Sequence, residues 1–270
     1  MPGTAEPDGA AMSVMDLSIE GDVAWLVLNR PEKKNALNHQ MWEAMPGLLR
    51  QVEADPRAKV LILASSSPEA FCAGADIEEF AAKASDVEWR RRNQAAIRET
   101  QTTLARLTKP TIAAIDGVCV GGGCGLAIAC DLRVAAETAR LGITPAKLGL
   151  VYSLHDTKLL VDLVGPARAK WILYTGALFS AEEARDMGLV DVLTTREELR
   201  DAALALAHSI AANSQHAIRS TKKIVQRILD GAVDDDEETI AQFFDAFDGP
   251  DLREGVQAFS EKRRPNFPVR

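Results

Sequence analysis

The stretch Gly121-Gly122-Gly123-Cys124-Gly125-Leu126-Ala127-Ile128-Ala129-Cys130-Asp131 follows an apolar, strand-like segment and has a helix-like composition after its glycines. Glycines at such a junction let a ligand approach the backbone closely, and the first N–H groups of a helix have no partner within it. Those N–H groups and the positive end of the helix dipole favour negative charge. The stretch therefore predicts a site for an anion, or for an oxygen that becomes anionic during a reaction.

This run does not match the two common phosphate-binding loops. Leu126 stands where Gly-x-Gly-x-x-Gly would place its third glycine, and no Gly-Lys-Ser/Thr follows. Close packing of a strand on a helix is a purely structural explanation for the glycines. The run alone leaves both explanations open.

A second small-residue loop, Phe71-Cys72-Ala73-Gly74-Ala75-Asp76-Ile77, follows the apolar segment 60–64. It also leads into a polar helix start, at Glu78-Glu79. Two such loops can supply two N–H donors to one oxygen. That pair is what acyl-thioester chemistry needs when an enolate or a tetrahedral oxyanion forms.

With these motifs the chain resembles the crotonase superfamily, the enoyl-CoA hydratase/isomerase family, over about residues 14 to 270. The matching segments are Asn29-Arg30-Pro31 with Asn35-Ala36-Leu37, Ala73-Gly74-Ala75-Asp76, and Gly121-Gly122-Gly123 with Cys130-Asp131. The resemblance implies an α/β fold, with a crotonase-like ββα spiral core and an all-helical C-terminal trimerisation region. It also implies an oxyanion hole formed by the backbone N–H groups of Ala75 and Gly122.

The resemblance further implies a coenzyme A thioester as substrate and no permanently bound cofactor. No His/Cys spacing in the chain resembles a metal site, so no metal is expected. The residues that the resemblance assigns to the CoA site are Lys34, Ala36, Leu37, Ala73, Asp76, Ile77, Gly121, Phe259 and Lys262. Lys262 and the two arginines after it are candidates for the 3′-phosphate of CoA. A solvated helix end with cations at its C-terminus explains them equally well.

Two glutamates that enoyl-CoA hydratases of this family carry are absent. Their positions hold Gly125 and Pro145, and neither residue can transfer a proton. Hydration needs a positioned base to activate water and an acid to protonate carbon. The general hydratase assignment therefore lacks its usual groups, whereas the fold assignment does not depend on them.

The segment from Thr144 to Tyr152 resembles that of methylmalonyl-CoA decarboxylases, as does the C-terminal segment 254–267. In that resemblance Thr144 and Tyr152 face the acyl group, although those decarboxylases often place a histidine at the position of Ala75. Decarboxylation of a malonyl-type thioester needs donors for the enolate oxygen and a weak acid, but no base. The first interpretation is therefore a decarboxylase of a 2-carboxyacyl-CoA such as methylmalonyl-CoA.

Two alternatives stay open. One is an enoyl-CoA hydratase or isomerase that uses other groups, such as Tyr152 or His155. The other is a CoA-thioester binding protein with little catalysis. Ser153, His155 and Asp156 have the residue types of a hydrolytic triad, but triads are assembled from separated segments. We expect Ser153 to cap a helix with Asp156 in its first turn.

Composition narrows the remaining classes of function. The chain has 270 residues and a net charge of −8 from 31 basic and 39 acidic residues, without a basic stripe, which disfavours nucleic-acid binding. No apolar stretch reaches membrane-spanning length. Four cysteines without paired spacing are expected to be small buried hydrophobic residues, which fits a cytoplasmic protein.

The composition of residues 1–11, rich in Gly, Pro and Ala, predicts a disordered tail. Hydrophobic periodicity divides the rest into an α/β core at 12–195 and a helical region at 196–270. The predicted strands are 22–29, 60–65, 111–115, 132–136 and 190–193. The predicted helices are 39–54, 77–107, 122–130, 154–164, 167–174, a short one that opens with the capping box Ser180–Glu183, and then 196–212, 215–230 and 236–247. The resemblance adds a homotrimer or a dimer of trimers, in which the helical region packs on neighbours.

Overall fold

The computed structural model describes residues 13–267. The strands are β1 Met15–Glu20, β2 Val23–Leu28, β3 Val60–Ser65, β4 Ala70–Cys72, β5 Thr111–Ile115, β6 Val118–Val120, β7 Leu132–Ala136, β8 Arg140–Gly142, β9 Phe179–Ser180 and β10 Val192–Thr194. The helices are α1 His39–Ala54, α2 Ile77–Lys83, α3 Val87–Ala105, α4 Gly122–Ala129, α5 Leu154–Thr175, α6 Ala181–Asp186, α7 Leu199–Ala211, α8 Gln215–Leu229, α9 Glu237–Asp248 and α10 Pro250–Glu261.

Six strands form the larger sheet, in the order β1-β2-β3-β5-β7-β10. β1 pairs antiparallel with β2, and the pairs from β2 to β10 are parallel. The central strand β5 is buried at all five residues. Continuous burial of this kind is typical of a parallel sheet that is covered on both faces.

A smaller sheet, in the order β4-β6-β8-β9, lies beside the larger one. Its first three strands are parallel, and β9 is antiparallel to β8. The two glycine-rich loops follow directly on β4 and β6, which are neighbours in this sheet. Parallel neighbours end at the same edge, so the fold brings the two loops together.

Apolar side chains fill both sides of the larger sheet. One cluster lies between the sheets and helices α1, α3, α4 and α5, with fully buried Leu26, Leu63 and Phe71 among its members. The second cluster packs Val60, Ile62 and Ile112 of the sheet against α7. The packed core thus continues beyond residue 195, because α7 covers the outer face of the sheet.

The predicted α/β architecture is confirmed, with helices and mixed sheets in the predicted order. The predicted helix 77–107 is instead two helices, because Asp86 caps a new helix by accepting hydrogen bonds from the N–H groups of Glu88 and Trp89. The pair 154–164 and 167–174 is confirmed as two segments of α5, separated by non-helical Gly165. Strand β1, helix α10 and the short strands β4, β6, β8 and β9 were not predicted; each of these four short strands has two or three residues.

The C-terminal helices α8 to α10 carry many exposed apolar side chains. Phe243, Phe244 and Phe247 of α9 form an edge-to-face cluster, and each is more than half exposed. Trimerisation through this region stays a prediction. In the part of the chain that the structure describes, no helix is long and apolar enough to cross a membrane. The predicted disordered tail at 1–11 lies outside the described residues.

Candidate active site

The two predicted small-residue loops lie against each other. A Cβ added to Gly74 would stand 2.9 Å from the carbonyl oxygen of Val120 and 3.7 Å from the amide nitrogen of Gly122. Both Gly74 and Gly121 have positive φ angles, 99° and 54°. At Gly74 the conformation and the close approach each disfavour a side chain, whereas at Gly121 the conformation alone does.

The N–H groups of Ala75 and Gly122 have no backbone acceptor among residues 13–267. Leu37 donates its N–H to the carbonyl of Gly74 and accepts at its own carbonyl from Asp76, so the N–H of Ala75 between them is not used in this pairing. Gly122 is the first residue of α4, where a helix offers no acceptor to the N–H group. Ala75 is exposed and Gly122 half-buried. The structure therefore brings the two predicted oxyanion donors together at an accessible surface.

A strap of residues 34–37 supports the first loop. Lys34 and Asn35 have left-handed backbone conformations, and the carbonyl of Lys34 accepts a hydrogen bond from Ala73. The buried Asn35 side chain accepts from the N–H of Arg30 and donates to the carbonyl of Ala70. These bonds fix the backbone on which predicted CoA residues Lys34, Ala36, Leu37 and Ala73 lie.

The side chain of Asp76 connects this loop to Arg30 and to the start of α2. Its carboxylate accepts from Arg30 at 2.7 Å and from the N–H groups of Glu78 and Glu79 at the start of α2. Burial opposes ionisation, but the hydrogen bonds from Arg30 and the α2 amides lower the pKa of Asp76 below its ordinary value. Ile77 is 58% exposed at the open side of the loop. Of the two predicted contacts, Ile77 has the more accessible side chain.

Glycines of α4 allow close contact with neighbouring elements. A Cβ on Gly122 would stand 3.1 Å from the ring of Trp42 and 3.5 Å from Leu37. A Cβ on Gly123 would stand 2.5 Å from the backbone oxygen of Cys72. Close packing therefore explains the glycine at 123, and it also contributes at Gly122, where the ligand-binding explanation stays a prediction.

A group of polar side chains surrounds Gly125, one of the two positions without the expected glutamate. A Cβ at this glycine would stand 2.6 Å from Nε2 of Gln101, 3.4 Å from the hydroxyl oxygen of Tyr152 and 3.8 Å from Oδ1 of Asp156. Burial, and next the nearby charge of Asp156, raise the pKa of Tyr152 well above its ordinary value. Tyr152 therefore stays protonated at neutral pH and can act as a hydrogen-bond donor.

Ser153 caps α5 as predicted, by accepting from the N–H of Asp156. Its hydroxyl also donates to Oδ2 of Asp156. Thr144 is half-buried between β8 and a short 3₁₀ turn at Pro145–Leu148. The end of β8 is bonded to the loop before α4, because Gly121 donates its N–H to the carbonyl of Gly142 at 2.9 Å.

The predicted C-terminal contacts lie on the last helix. Phe259 of α10 is 87% exposed, and Lys262 ends the helix in a left-handed conformation. The adjacent Arg263 is bound to Glu254 and Glu261, which raise its pKa. The positive charge of Arg263 is therefore already paired with carboxylates of the same C-terminal segment. The CoA contacts of Phe259 and Lys262 stay predictions.

The cysteines are buried and have no disulfide partner. Burial raises the pKa of Cys72 and of Cys130 to about 12, so these thiols are neutral and unreactive at physiological pH. Within residues 13–267 no group of three or more His, Cys, Asp or Glu side chains is arranged to hold a metal ion.

A separate apolar cavity of about 670 Å³ lies at the other end of α4, between α3, α5 and α8. Ile128, His155 and Val225 are among its lining residues, and the Ala75 and Gly122 loops are not. Burial lowers the pKa of His155, which favours its neutral form. We place the candidate active site at the loops, because the free amide donors lie there and the cavity offers none of that chemistry.

Sequence reasoning did not identify Gln101 and gave Asp156 only a role in the helix. Gln101 lies on the buried side of α3, four residues after Ile97 and three before Leu104. A glutamine at a position of the apolar stripe is the signal that was available. Nothing in the local sequence of either residue indicates that the two side chains meet above Gly125.

Known proteins are similar to this chain in sequence and in fold. The family model of enoyl-CoA hydratase/isomerase matches residues 18–270. The crotonyl-CoA hydratase of Syntrophomonas wolfei is 35% identical, over 93% of this chain and 96% of its own. A crystal structure from Hyphomonas neptunium, assigned to the enoyl-CoA hydratase/isomerase family, has 41% identity and a TM-score of 0.92 over 96% of this chain and 98% of its own.

The enoyl-CoA hydratase structure of Bacillus anthracis has 33% identity and a TM-score of 0.87, over 96% of this chain and all of its own. The family model and the relatives each span nearly the whole chain, including the two loops and the C-terminal helices. The chain belongs to the enoyl-CoA hydratase/isomerase family, within the crotonase superfamily.

Proposed function

We propose that this protein transforms acyl-CoA thioesters by stabilising an enolate whose oxygen accepts hydrogen bonds from Ala75 and Gly122. The observation that carries the proposal is the adjacency of the two loops, in which the N–H groups of Ala75 and Gly122 have no backbone acceptor among residues 13–267. Donors fixed in place before the reaction stabilise the developing charge without reorganising, and losing one costs about 10²- to 10³-fold in kcat in other enzymes.

Among reactions of this type we favour the addition of water to an enoyl-CoA. Relatives named as crotonyl-CoA hydratase and short-chain-enoyl-CoA hydratase, which share 35% and 32% identity with the chain, support this choice. The carboxylate of Asp156 beside Gly125 supports it as well, because hydration requires a group that can take a proton from water.

Decarboxylation of a 2-carboxyacyl-CoA such as methylmalonyl-CoA is the second candidate. The protonated hydroxyl of Tyr152 favours it, because a weak acid near the acyl group can protonate the enolate carbon. Thr144 would help to orient the substrate carboxylate. The negative charge of Asp156 speaks against this reaction, since a second carboxylate nearby would be repelled.

The CoA part of the substrate would lie along the strap and loop that carry Lys34, Ala36, Leu37, Ala73, Asp76, Ile77 and Gly121, with Phe259 and Lys262 at its far end. The exposed Lys34 would supply positive charge for the phosphates. CoA enters as part of the substrate, and the proposal requires no permanently bound cofactor.

Separate incubations with crotonyl-CoA and methylmalonyl-CoA, followed by mass spectrometry, test the proposal. A mass gain of one water on crotonyl-CoA supports hydration. Loss of CO₂ from methylmalonyl-CoA alone supports the second candidate. The protein is also tested with a panel of other acyl-CoA thioesters. If it binds all these thioesters and transforms none of them, it is a binding protein and the enolate proposal fails.

A further inference from the structure

The side chains of Gln101, Tyr152, Ser153 and Asp156 form a compact group, which we call the Gly125 cluster. Atoms of Gln101, Tyr152 and Asp156 lie within 4 Å of one point, the position of a Cβ on Gly125. They come from two helices and the loop before one of them: Gln101 from α3, Asp156 from α5, and Tyr152 just before α5. Gly125 provides the space in which they meet.

Several atoms of the Gly125 cluster have no hydrogen-bond partner within residues 13–267. Gln101 is fully buried, yet both its amide nitrogen and its amide oxygen are unpaired. The buried hydroxyl of Tyr152 is unpaired as well. Buried polar groups nearly always find partners, because leaving one unpaired costs about 1–3 kcal/mol in proteins. The unpaired donors and acceptor therefore point to a small polar species that binds among them.

The Gly125 cluster lies next to the proposed enolate site. Gly125 follows Gly122 by three residues in α4, so the two residues share one face of the helix, about 5 Å apart along its axis. A thioester whose carbonyl oxygen is held by the Gly122 N–H would extend its second and third carbons over about this distance. The cluster is thus placed where an acyl chain would react.

We propose that Asp156 is the catalytic acid and base of this enzyme, and that Gln101 and Tyr152 hold the reacting water beside it. This inference rests on the proposed function. A water molecule needs two to four polar partners in a buried site, and the Gly125 cluster offers them. Ser153 orients the carboxylate by donating a hydrogen bond to Oδ2, while Oδ1 faces the cluster.

The reaction balances with this single carboxylate. Asp156 takes a proton from water as the water oxygen bonds to C3 of the enoyl thioester. The electron pair of the C2–C3 double bond moves to the carbonyl oxygen, which Ala75 and Gly122 stabilise as the enolate. The carboxylic acid then returns the proton to C2, the carbonyl re-forms, and the product is a 3-hydroxyacyl thioester.

The same geometry accounts for the glycine at 125. A side chain there would collide with Gln101, whose Nε2 lies 2.6 Å from the Cβ position. In this protein the carboxylate near position 125 therefore belongs to Asp156 of α5 and not to a residue of α4. A helix cap alone does not explain the arrangement, because it requires neither Gln101 nor the unpaired Tyr152 hydroxyl.

The test measures crotonyl-CoA hydration and butyryl-CoA binding with the full-length enzyme and Asp156→Asn. We expect the kcat of Asp156→Asn to be lower by about 10²-fold or more, with little change in butyryl-CoA affinity. Asp156→Glu, which keeps the carboxylate, should recover part of the rate. Glu183→Gln is the matched control, because Glu183 also lies in a first helical turn bonded to a capping serine. It should leave the rate unchanged.

Wild-type hydration with full activity in Asp156→Asn would overturn the role of Asp156 and leave the enolate proposal standing. A wild-type enzyme that decarboxylates methylmalonyl-CoA and does not hydrate crotonyl-CoA would also overturn the role of Asp156 and leave the enolate proposal standing. Gln101→Leu and Tyr152→Phe should each lower kcat by about tenfold or more if they hold the water; unchanged rates in both would contradict that part. A wild-type enzyme that binds acyl-CoA and transforms none of the thioesters would overturn the proposed function and this inference together.

Discussion

The amide nitrogen of Gln101 lies 2.6 Å from the place that a Cβ of Gly125 would occupy. The two residues are therefore matched: a larger residue at 125 requires a different position for Gln101. Because position 125 has no side chain, polar groups from α3 and from α5 and the loop before it can occupy the space where a glutamate of α4 would lie.

Gly125→Ala should affect activity more than stability. The atom it would displace is the end of a flexible side chain, so we expect a loss of about 1 kcal/mol in the free energy of unfolding, together with at least a tenfold lower kcat. Urea unfolding and steady-state kinetics measure the two effects. A variant with normal kcat would show that the position of Gln101 is unimportant for turnover.

Gly123→Ala should instead destabilise the fold strongly. Its Cβ would stand 2.5 Å from the backbone oxygen of Cys72, which cannot move without shifting β4. We expect a loss of about 3 kcal/mol or more. Gly47→Ala is the matched control, since Gly47 lies inside α1 with nothing within 4 Å of its Cβ position. That change should be neutral or stabilise by up to about 1 kcal/mol. Equal unfolding curves for the two variants would refute the packing argument.

The Arg30–Asp76 pair should make stability depend on pH in the acid range. The folded-state pKa of Asp76 is lowered below its ordinary value of 3.8, so the folded state favours the ionised carboxylate. The resulting stabilisation is present above the unfolded-state pKa, and it is lost as pH falls through the lower folded-state pKa. Arg30→Met should cost about 3 kcal/mol at pH 7, because it leaves a buried carboxylate without its cation.

Urea unfolding of wild type and Arg30→Met between pH 7 and pH 3 measures this difference. It should narrow as the carboxylate becomes protonated. A difference that stays constant down to pH 3 would show that Arg30 stabilises the loop by packing and not by charge.

The exposed phenylalanines of α9 should mediate self-association. Phe243 and Phe247 are 63% and 56% exposed in one chain, which is unusual for adjacent aromatic side chains. We expect a trimer or a dimer of trimers by light scattering, and a shift toward monomer in Phe243→Ser/Phe247→Ser. Val233→Ser, at a 98% exposed residue before α9, is the control and should not shift the mass. A monomeric wild-type protein would contradict the prediction.

Local features of the sequence predicted the loops of the site. Gly74 and Gly121 have positive φ angles, a local requirement that favours glycine, so this part of the site could be predicted without the fold. The split of the predicted helix 77–107 also had a local signal, because Asp86 is a strong helix-capping residue. Strands as short as β4 and β6 leave too few residues for an alternating pattern.

The Gly125 cluster could not be predicted in this way. Gln101 and Asp156 meet because α3 and α5 both pack on α4, and that packing depends on apolar contacts throughout the core. A missing side chain at position 125 is visible in the sequence, but the residues that fill its place come from distant segments. Tyr152 was identified through family resemblance, and its neighbours only through the fold.

The first measurement is the infrared spectrum of a bound acyl-CoA that carries ¹³C at the thioester carbonyl. It reports whether the N–H groups of Ala75 and Gly122 bind the carbonyl oxygen. If the N–H groups of Ala75 and Gly122 both donate to that oxygen, the carbonyl stretch should move to lower wavenumber than in water. Gly122→Pro removes one donor at the first position of α4, where a helix can accept proline, although its ring would press on Trp42, 3.1 Å from the Cβ position. In a folded Gly122→Pro variant, part of this shift should be reversed. A bound thioester with an unshifted carbonyl stretch in the wild-type protein would contradict the claim that these two amides stabilise the enolate.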